Sequence, residues 1–102
     1  MAFVPLFPLA QLTDQTLRKV KVAGKKIIVV KQGEAVYALA DRCSHEDYAL
    51  SEGFLEPGKI CCSMHGAAFD LKSGAALSLP AYEAVPTYPI RVHEGMVEID
   101  ID

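Results

Sequence analysis

Four side chains that can bind a metal ion are paired at the ends of the segment CSHEDYALSEGFLEPGKICCSMH, residues 43–65. Cys43 and His45 form a Cys-x-His pair, and after 16 further residues Cys62 and His65 form a Cys-x-x-His pair. Thiolate and imidazole both bind zinc and iron well, so the ligand set alone leaves the metal open. A hydrophobic core rarely needs this arrangement, and the segment therefore predicts a metal site.

The spacing of the two pairs helps to distinguish the metals. A structural zinc site commonly starts from two ligands separated by two to four residues, whereas one residue separates the first pair here. A Rieske-type 2Fe-2S centre instead holds one iron with two cysteines and the other with two histidines. Each pair would then give one ligand to each iron. A structural zinc-binding interaction module remains the alternative.

Signals for β-strands dominate the chain on both sides of this segment. Runs rich in β-branched or aromatic residues are TLRKVKV (16–22), KKIIVVK (25–31), AVYALA (35–40), TYPIRVH (87–93) and MVEIDID (96–102). Gly24, Gly33 and the Glu-Gly pair after residue 93 provide hairpin turns. No long window has helical periodicity, although YALSEGF can accommodate a short helical turn.

The strands leave a loop-rich stretch in the middle of the chain, residues 41–82, which contains all four candidate ligands. We therefore expect an all-β fold. Residues 1–40 and 83–102 would form an antiparallel β-sandwich or barrel-like base, and residues 41–82 an inserted cluster-binding subdomain. Loops that a rigid scaffold positions are where function usually concentrates.

Composition limits the remaining possibilities. A length of 102 residues fits one domain, and 51% hydrophobic with 23% charged residues indicates a folded globular protein. A net charge of -3 argues against nucleic acid as a partner. The apolar N-terminus lacks a basic region and contains Pro5 and Pro8, so neither a signal peptide nor a membrane span is predicted. Three cysteines and no export signal favour a reducing cytoplasm.

The sequence resembles a known family beyond its four ligands. Residues 43–45 and 62–66 are similar to the Rieske signature C-x-H…C-x-x-H-G. The stretches ALSEGFLEPGKICC, HGAAFDLKSGAALSLPA and TYPIRVHEGMVEIDI resemble the soluble Rieske ferredoxins of bacterial aromatic-ring-hydroxylating dioxygenase systems. This resemblance implies a Rieske fold and one 2Fe-2S cluster bound by Cys43, His45, Cys62 and His65.

The resemblance also implies a function. The chain would carry single electrons from a flavin-containing ferredoxin reductase to the terminal Rieske non-haem iron oxygenase in aromatic hydrocarbon catabolism. Docking would be transient, at the end that exposes His45 and His65, and the chain would be a cytoplasmic monomer that binds neither nucleic acid nor membranes. No nucleophile, general base or substrate pocket is evident, so we expect an electron carrier rather than an enzyme. A Rieske subunit in a permanent complex, as in assimilatory nitrite reductases, is the alternative.

Four positions differ from the Rieske proteins of respiratory and photosynthetic complexes. Tyr48 and Met64 stand where those relatives have two cysteines joined by a disulfide. Ala67 and Phe69 stand where they have hydroxyl groups that hydrogen-bond to cluster sulfur and ligand sulfur. The absence of these donors leaves the added electron less stabilised, and we predict a reduction potential of about -150 mV, near the lower end of the Rieske range.

Three further residues have two interpretations each. Cys61 follows a strand-like pattern and is predicted to be a small core residue facing away from Cys62, rather than a ligand or reactive thiol. His93 is predicted to be a surface histidine rather than a metal ligand. Pro80 matches the proline-containing loop that covers the cluster in Rieske proteins, or simply forms a turn.

Four acidic residues surround the first ligand pair in sequence. They are Glu46, Asp47, Glu52 and Glu56. Either they are the polar side chains of a solvated loop, or they form an electrostatic rim that steers this end of the molecule toward basic partner surfaces.

Overall fold

The computed structural model describes residues 3–42, 49–62, 67–77 and 84–100, which form nine β-strands. The strands are β1 (Val4–Pro8), β2 (Thr16–Val22), β3 (Lys25–Gln32), β4 (Ala35–Ala40), β5 (Phe54–Glu56), β6 (Lys59–Cys61), β7 (Ala68–Asp70), β8 (Ile90–His93) and β9 (Met96–Ile99). The only helices within these ranges are two 3-10 turns, Leu9–Gln11 and Leu50–Glu52. The second is the short turn expected in YALSEGF, and the all-β prediction is confirmed. None of the described residues belongs to a helix long and apolar enough to cross a membrane.

The strands pair into three antiparallel sheets of three strands each. The terminal sheet has the order β1-β9-β8, the central sheet β2-β3-β4 and the insert sheet β5-β6-β7. The two-residue turns after β2, β3 and β8 lie where the glycines predict them, since each contains a glycine with positive φ.

The central sheet is covered on both faces, and β3 shows this most clearly. Its four consecutive residues Ile27–Val30 are all fully buried. Ile27 and Val29 belong to the clusters that contain Ile99 and Val97 of the terminal sheet. Ile28 and Val30 belong to the cluster that includes residues of the insert sheet. A strand buried on both faces has a continuous apolar run rather than alternation, which explains the sequence IIVV.

The cluster on the second face joins the insert sheet to the central sheet. Its buried members are Ile28, Val30, Leu39, Leu50, Ile60, Cys62, Ala67, Phe69, Leu71 and Val85. Ile60 and Phe69 are directly opposite each other on β6 and β7, so they face this core together. The insert sheet is therefore held on its base by apolar packing.

A polar contact holds the outer end of the insert sheet. The side-chain amide of Gln32, at the end of β3, donates from Nε2 to the carbonyl oxygen of Glu56 (2.7 Å). Its Oε1 accepts a hydrogen bond from the backbone N–H of Gly58 (2.9 Å). One side chain therefore satisfies two backbone groups of the β5–β6 turn and ties that turn to the central sheet.

The β2–β3 turn predicts a stabilising substitution. Ala23 and Gly24 have φ angles of 51° and 80°, and this left-handed conformation costs a non-glycine residue about 1 kcal/mol. Asn-Gly is preferred in such turns, so Ala23→Asn is expected to raise the free energy of unfolding by about 0.5–1 kcal/mol in urea denaturation. Gly24→Ala is the control and should lower it, because a φ of 80° is unfavourable for a residue with a Cβ. No atom lies within 4 Å of the added Cβ, so no steric clash contributes to the loss. An unchanged or lower midpoint for Ala23→Asn would contradict this account.

Candidate functional site

Cys62 is the predicted ligand that lies within the described residues. It is 1% exposed and belongs to the core between the central and insert sheets. The other three predicted ligands, Cys43, His45 and His65, lie outside the described residues. Five other residues discussed from the sequence also lie outside them: Glu46, Asp47, Tyr48, Met64 and Pro80.

The backbone on either side of the second ligand pair is fixed. Cys62 comes directly after β6, and its backbone N–H donates a hydrogen bond to the carbonyl oxygen of Ala67 (2.6 Å). This bond joins the two residues that flank positions 63–66. Both are buried, so the backbone at Cys62 is held by strand pairing before it and by Ala67 across from it.

Asp41 connects the two backbone segments that flank the first pair of predicted ligands. Its carboxylate accepts hydrogen bonds from the backbone N–H of Ser51 (2.7 Å) and from the Ser51 hydroxyl (2.9 Å). The backbone N–H of Asp41 donates to the carbonyl oxygen of Lys26 on β3 (3.0 Å). The residues before and after positions 43–48 are therefore tied to each other and to the central sheet. The sequence did not predict this contact. An aspartate can accept hydrogen bonds from many backbone and hydroxyl groups, and the sequence does not show that Ser51 is the one it meets.

The chain segments that flank the two predicted ligand pairs approach each other at Gly53. A Cβ added there would overlap the carbonyl oxygen of Cys61 and lie 3.2 Å from that of Leu50. The backbone that leaves the first stretch therefore packs directly on the strand that leads to Cys62. Sequence spacing placed the two pairs 16 residues apart, and this contact brings the roots of the two stretches together at one end of the insert sheet.

Cys61 has the role predicted for it. It is 6% exposed and lies opposite Phe54 on β5 and Ala68 on β7. Cys62, its neighbour, belongs to the core cluster that does not include Cys61, as expected for successive residues of a strand. Burial raises the pKa of the Cys61 thiol, with a smaller contribution from Glu56. A thiol that stays protonated and buried is a poor nucleophile.

The outer face of the insert sheet is apolar at one end and polar at the other. At the end near the ligand stretches, Phe54 is 51% exposed and Leu77 is 52% exposed, with Leu77 N–H bonded to the carbonyl oxygen of Ala68 (2.8 Å). At the other end, Asp70 accepts hydrogen bonds from the backbone N–H and hydroxyl of Ser73, which lower the pKa of its carboxyl group. The exposed apolar pair was not expected from the sequence.

Of the two interpretations given for the acidic residues, the structure favours a polar surface side chain for Glu56 rather than a member of an electrostatic rim. Glu56 pairs with Lys59 at the turn end of the β5–β6 hairpin, whereas Phe54 and Cys61 form the rung nearest the ligand stretches. Its carboxylate forms an ion pair with the Lys59 ammonium (3.2 Å). Glu56 is close to the first pair in sequence but faces the opposite end of the hairpin. Glu52, by contrast, is exposed in the 3-10 turn that follows the first stretch.

His93 is a surface residue, as predicted. Its side chain is 59% exposed, and Nε2 lies 4.0 Å from the Glu94 carboxylate. Within the described ranges, no three His, Cys, Asp or Glu side chains are grouped as a metal site would require.

The contact at Gly53 predicts that Gly53→Ala disturbs the site. The new methyl group would force the backbone of β6 to shift, and we expect a loss of about 1–3 kcal/mol in the free energy of unfolding together with a lower iron content. Gly58→Ala is the control in the same hairpin, since its Cβ would meet no atom within 4 Å. That variant should lose some stability, because its φ is 75°, but keep its iron. Full iron content and stability in Gly53→Ala would contradict the role given to this contact.

Comparison with known proteins assigns the chain to a family. The pattern of the Rieske [2Fe-2S] domain matches residues 2–89. The chain is 40% identical over 82 residues to the anthranilate 1,2-dioxygenase ferredoxin subunit of Burkholderia cepacia, covering 79% of this chain and 76% of that protein. It is 43% identical over 76 residues to the 3-phenylpropionate/cinnamic acid dioxygenase ferredoxin subunit of Escherichia coli (strain K12), covering 74% of this chain and 72% of that protein.

Solved structures agree with this assignment. The ferredoxin of carbazole 1,9a-dioxygenase from Nocardioides aromaticivorans IC177 superposes with a TM-score of 0.92 at 29% identity, covering 97% of each chain. A chain in the complex of reduced oxygenase and oxidized ferredoxin of carbazole 1,9a-dioxygenase superposes with a TM-score of 0.90 at 30% identity, covering 95% of this chain and 91% of that chain. The chain therefore belongs to the Rieske [2Fe-2S] domain family, as a ferredoxin-type electron carrier with one 2Fe-2S cluster.

Proposed function

We propose that this chain carries single electrons from a flavin-containing ferredoxin reductase to the terminal oxygenase of an aromatic-ring-hydroxylating dioxygenase. The relatives named above are ferredoxin subunits of dioxygenases, and one similar solved structure is a complex of ferredoxin with oxygenase. The structural observation that supports this function most directly is the backbone contact between Gly53 and Cys61. It brings together the described segments that flank the two pairs of proposed ligands.

The ligands in this proposal are Cys43, His45, Cys62 and His65. Two thiolates and two imidazoles are the donor set of a Rieske centre, which supplies reversible one-electron chemistry when bound. The environment of Cys62 suits a cluster ligand, because its backbone is held by a hydrogen bond to Ala67 and its side chain lies in a buried apolar cluster. The histidines would give electrons a short path to a docked partner.

The backbone around the proposed ligands is held by hydrogen bonds, which would limit its movement when the charge of the site changes. The Asp41–Ser51 hydrogen bonds and the bond between Cys62 and Ala67 hold the backbone that flanks the proposed ligands. We assign residues 41–82 to the cluster-binding subdomain and residues 1–40 and 83–102 to the base. A cytoplasmic monomer that docks transiently suits a carrier that must meet two partners in turn.

The electron carrier should depend on Cys62 and not on its neighbour. The test is to mix the purified chain with a flavoprotein reductase and an aromatic-ring oxygenase, and to measure NAD(P)H-dependent product formation. Product should form only when the chain is present, and the protein should be red-brown with an EPR signal after reduction. Cys62→Ser should lose colour and activity, whereas the matched variant Cys61→Ser should keep both. A colourless, zinc-containing wild type, or product formed at the same rate without the chain, would refute the proposal.

Two buried positions near Cys62 carry no hydroxyl group, which favours a low reduction potential. Ala67 and Phe69 are both fully buried, and Phe69 packs between the central and insert sheets. A hydroxyl group at either position could donate to an electron-rich sulfur, and such donors stabilise the reduced state. Alanine and phenylalanine cannot donate such a hydrogen bond, so the reduced form is stabilised less than it would be with a hydroxyl group at either position.

Ala67→Ser is therefore expected to raise the reduction potential. A hydrogen bond that favours the reduced form by about 1 kcal/mol corresponds to roughly 40 mV for a one-electron couple. A redox titration followed by EPR would measure the change, with Ala68→Ser on the opposite face of β7 as the control. The wild type should titrate at about -150 mV, the lower end of the Rieske range. A clearly positive wild-type potential, or an equal shift in both variants, would contradict this explanation.

A further inference from the structure

A concave surface beside the first ligand stretch is lined by lysines. The cleft has a volume of about 340 Å³, and its polar lining includes Lys19, Lys21, Lys26 and Asp41, with Ala49 on its wall. We refer to these five residues as the lysine cleft. Asp41 precedes positions 43–48 in the chain and Ala49 follows them. The cleft is therefore lined by residues that flank the first pair of proposed ligands.

The lysines of the cleft form no ion pair with a described carboxylate. No described carboxylate lies within ion-pair distance of Lys19, Lys21 or Lys26. Asp41 is the one acid among the described lining residues, and its two carboxylate oxygens accept hydrogen bonds from Ser51. The described lining therefore carries three positive charges and one negative charge, on a protein whose overall charge is -3.

This charge is concentrated on one side of the β2–β3 hairpin. The stretch RKVKVAGKK (18–26) contains five of the chain's ten lysines and arginines and no acid. Two of the five contact aromatic rings on the face of the hairpin opposite the cleft. Arg18 lies 4.4 Å from the centroid of the Phe7 ring, and Lys25 lies 5.9 Å from the centroid of the Tyr88 ring. The remaining three are the lysines of the cleft.

The arrangement within the cleft does not stabilise the free protein. Lys21 lies directly opposite Lys26 in the β2–β3 register. Like charges placed directly opposite each other on antiparallel strands repel and destabilise the sheet. A carboxylate placed between them would remove that repulsion, so the cleft is complementary to an acidic ligand.

We propose that the lysine cleft is a docking site for an acidic surface patch on an electron-transfer protein partner. The inference rests on the proposed function, because an electron carrier must bind each partner with its redox centre close to the interface. Carboxylates seated in the cleft would hold the partner beside the first ligand stretch. Complementary charge of this kind speeds encounter and selects one orientation of the two proteins.

The first test compares two pairs of substitutions with the same change in charge. Lys21→Gln/Lys26→Gln removes two charges from the cleft, and Lys25→Gln/Lys72→Gln removes two exposed charges elsewhere. At low ionic strength, the cleft variant should raise the KM for this chain about tenfold with the reductase or the oxygenase, and the effect should disappear at high salt. The control pair should change KM less than twofold, and both variants should keep the wild-type potential. Equal effects of the two pairs, or an unchanged KM with both partners, would overturn the inference.

A second variant separates docking from folding. Lys21→Glu replaces the like-charge pair with an opposite-charge pair across the strands, so the melting temperature should rise while KM increases further. Loss of stability together with loss of docking would overturn the inference.

Cross-linking tests the contact directly. A carbodiimide joins amines to carboxylates in contact, and we expect cross-links from Lys19, Lys21 or Lys26 to Asp or Glu of a partner. Cross-links confined to other lysines would overturn the inference. If the wild-type chain transfers no electrons at all, the proposed function fails; if it does and the cleft variant behaves as the control, only the docking site fails.

Discussion

Burial of β3 on both faces is the constraint from which the rest of the structure follows. Four consecutive apolar residues, Ile27–Val30, cannot be covered by one layer, because successive side chains of a strand point to opposite sides. The terminal sheet covers one face and the insert sheet covers the other. The insert sheet is thus part of the main packing of the molecule, and the same apolar contacts that stabilise the fold position the strand that leads to Cys62, one of the proposed ligands.

Polar contacts then set the local geometry that apolar packing leaves open. Apolar contacts are not directional, so they place the insert sheet without fixing the backbone at its ends. Gln32 fixes the turn end, and Asp41 fixes the end that leads into the first ligand stretch. Gly53 allows the closest backbone approach, beside Cys61. The stretches that bear the proposed ligands therefore begin and end on fixed residues, which suits a site that must gain and lose charge with little rearrangement.

Sequence reasoning was most accurate where the signal is local. Strand patterns and turn glycines predicted the hairpins of the central and terminal sheets, because side-chain alternation and positive φ depend on neighbouring residues. Cys61 was correctly predicted to be buried for the same reason. The rim interpretation does not hold for Glu56, because closeness in sequence to the first ligand pair does not say which end of a hairpin a residue occupies. The Asp41–Ser51 contact and the exposed pair Phe54 and Leu77 were not foreseen, since each depends on which segments meet in space.

The sequence by itself determined the chemistry: the types and spacing of two Cys–His pairs, the β class of the fold and the resemblance to Rieske ferredoxins. Those properties depend only on the identity of the residues and on their short-range pattern along the chain. Only the tertiary structure decided that the segments flanking both pairs of proposed ligands meet beside Gly53, and that Lys19, Lys21 and Lys26 line a cleft together with Asp41 and Ala49. The physical reason is that both arrangements depend on which segments meet in space: β5 pairs with β6 to bring Gly53 against Cys61, and the β2–β3 hairpin meets Asp41 and Ala49.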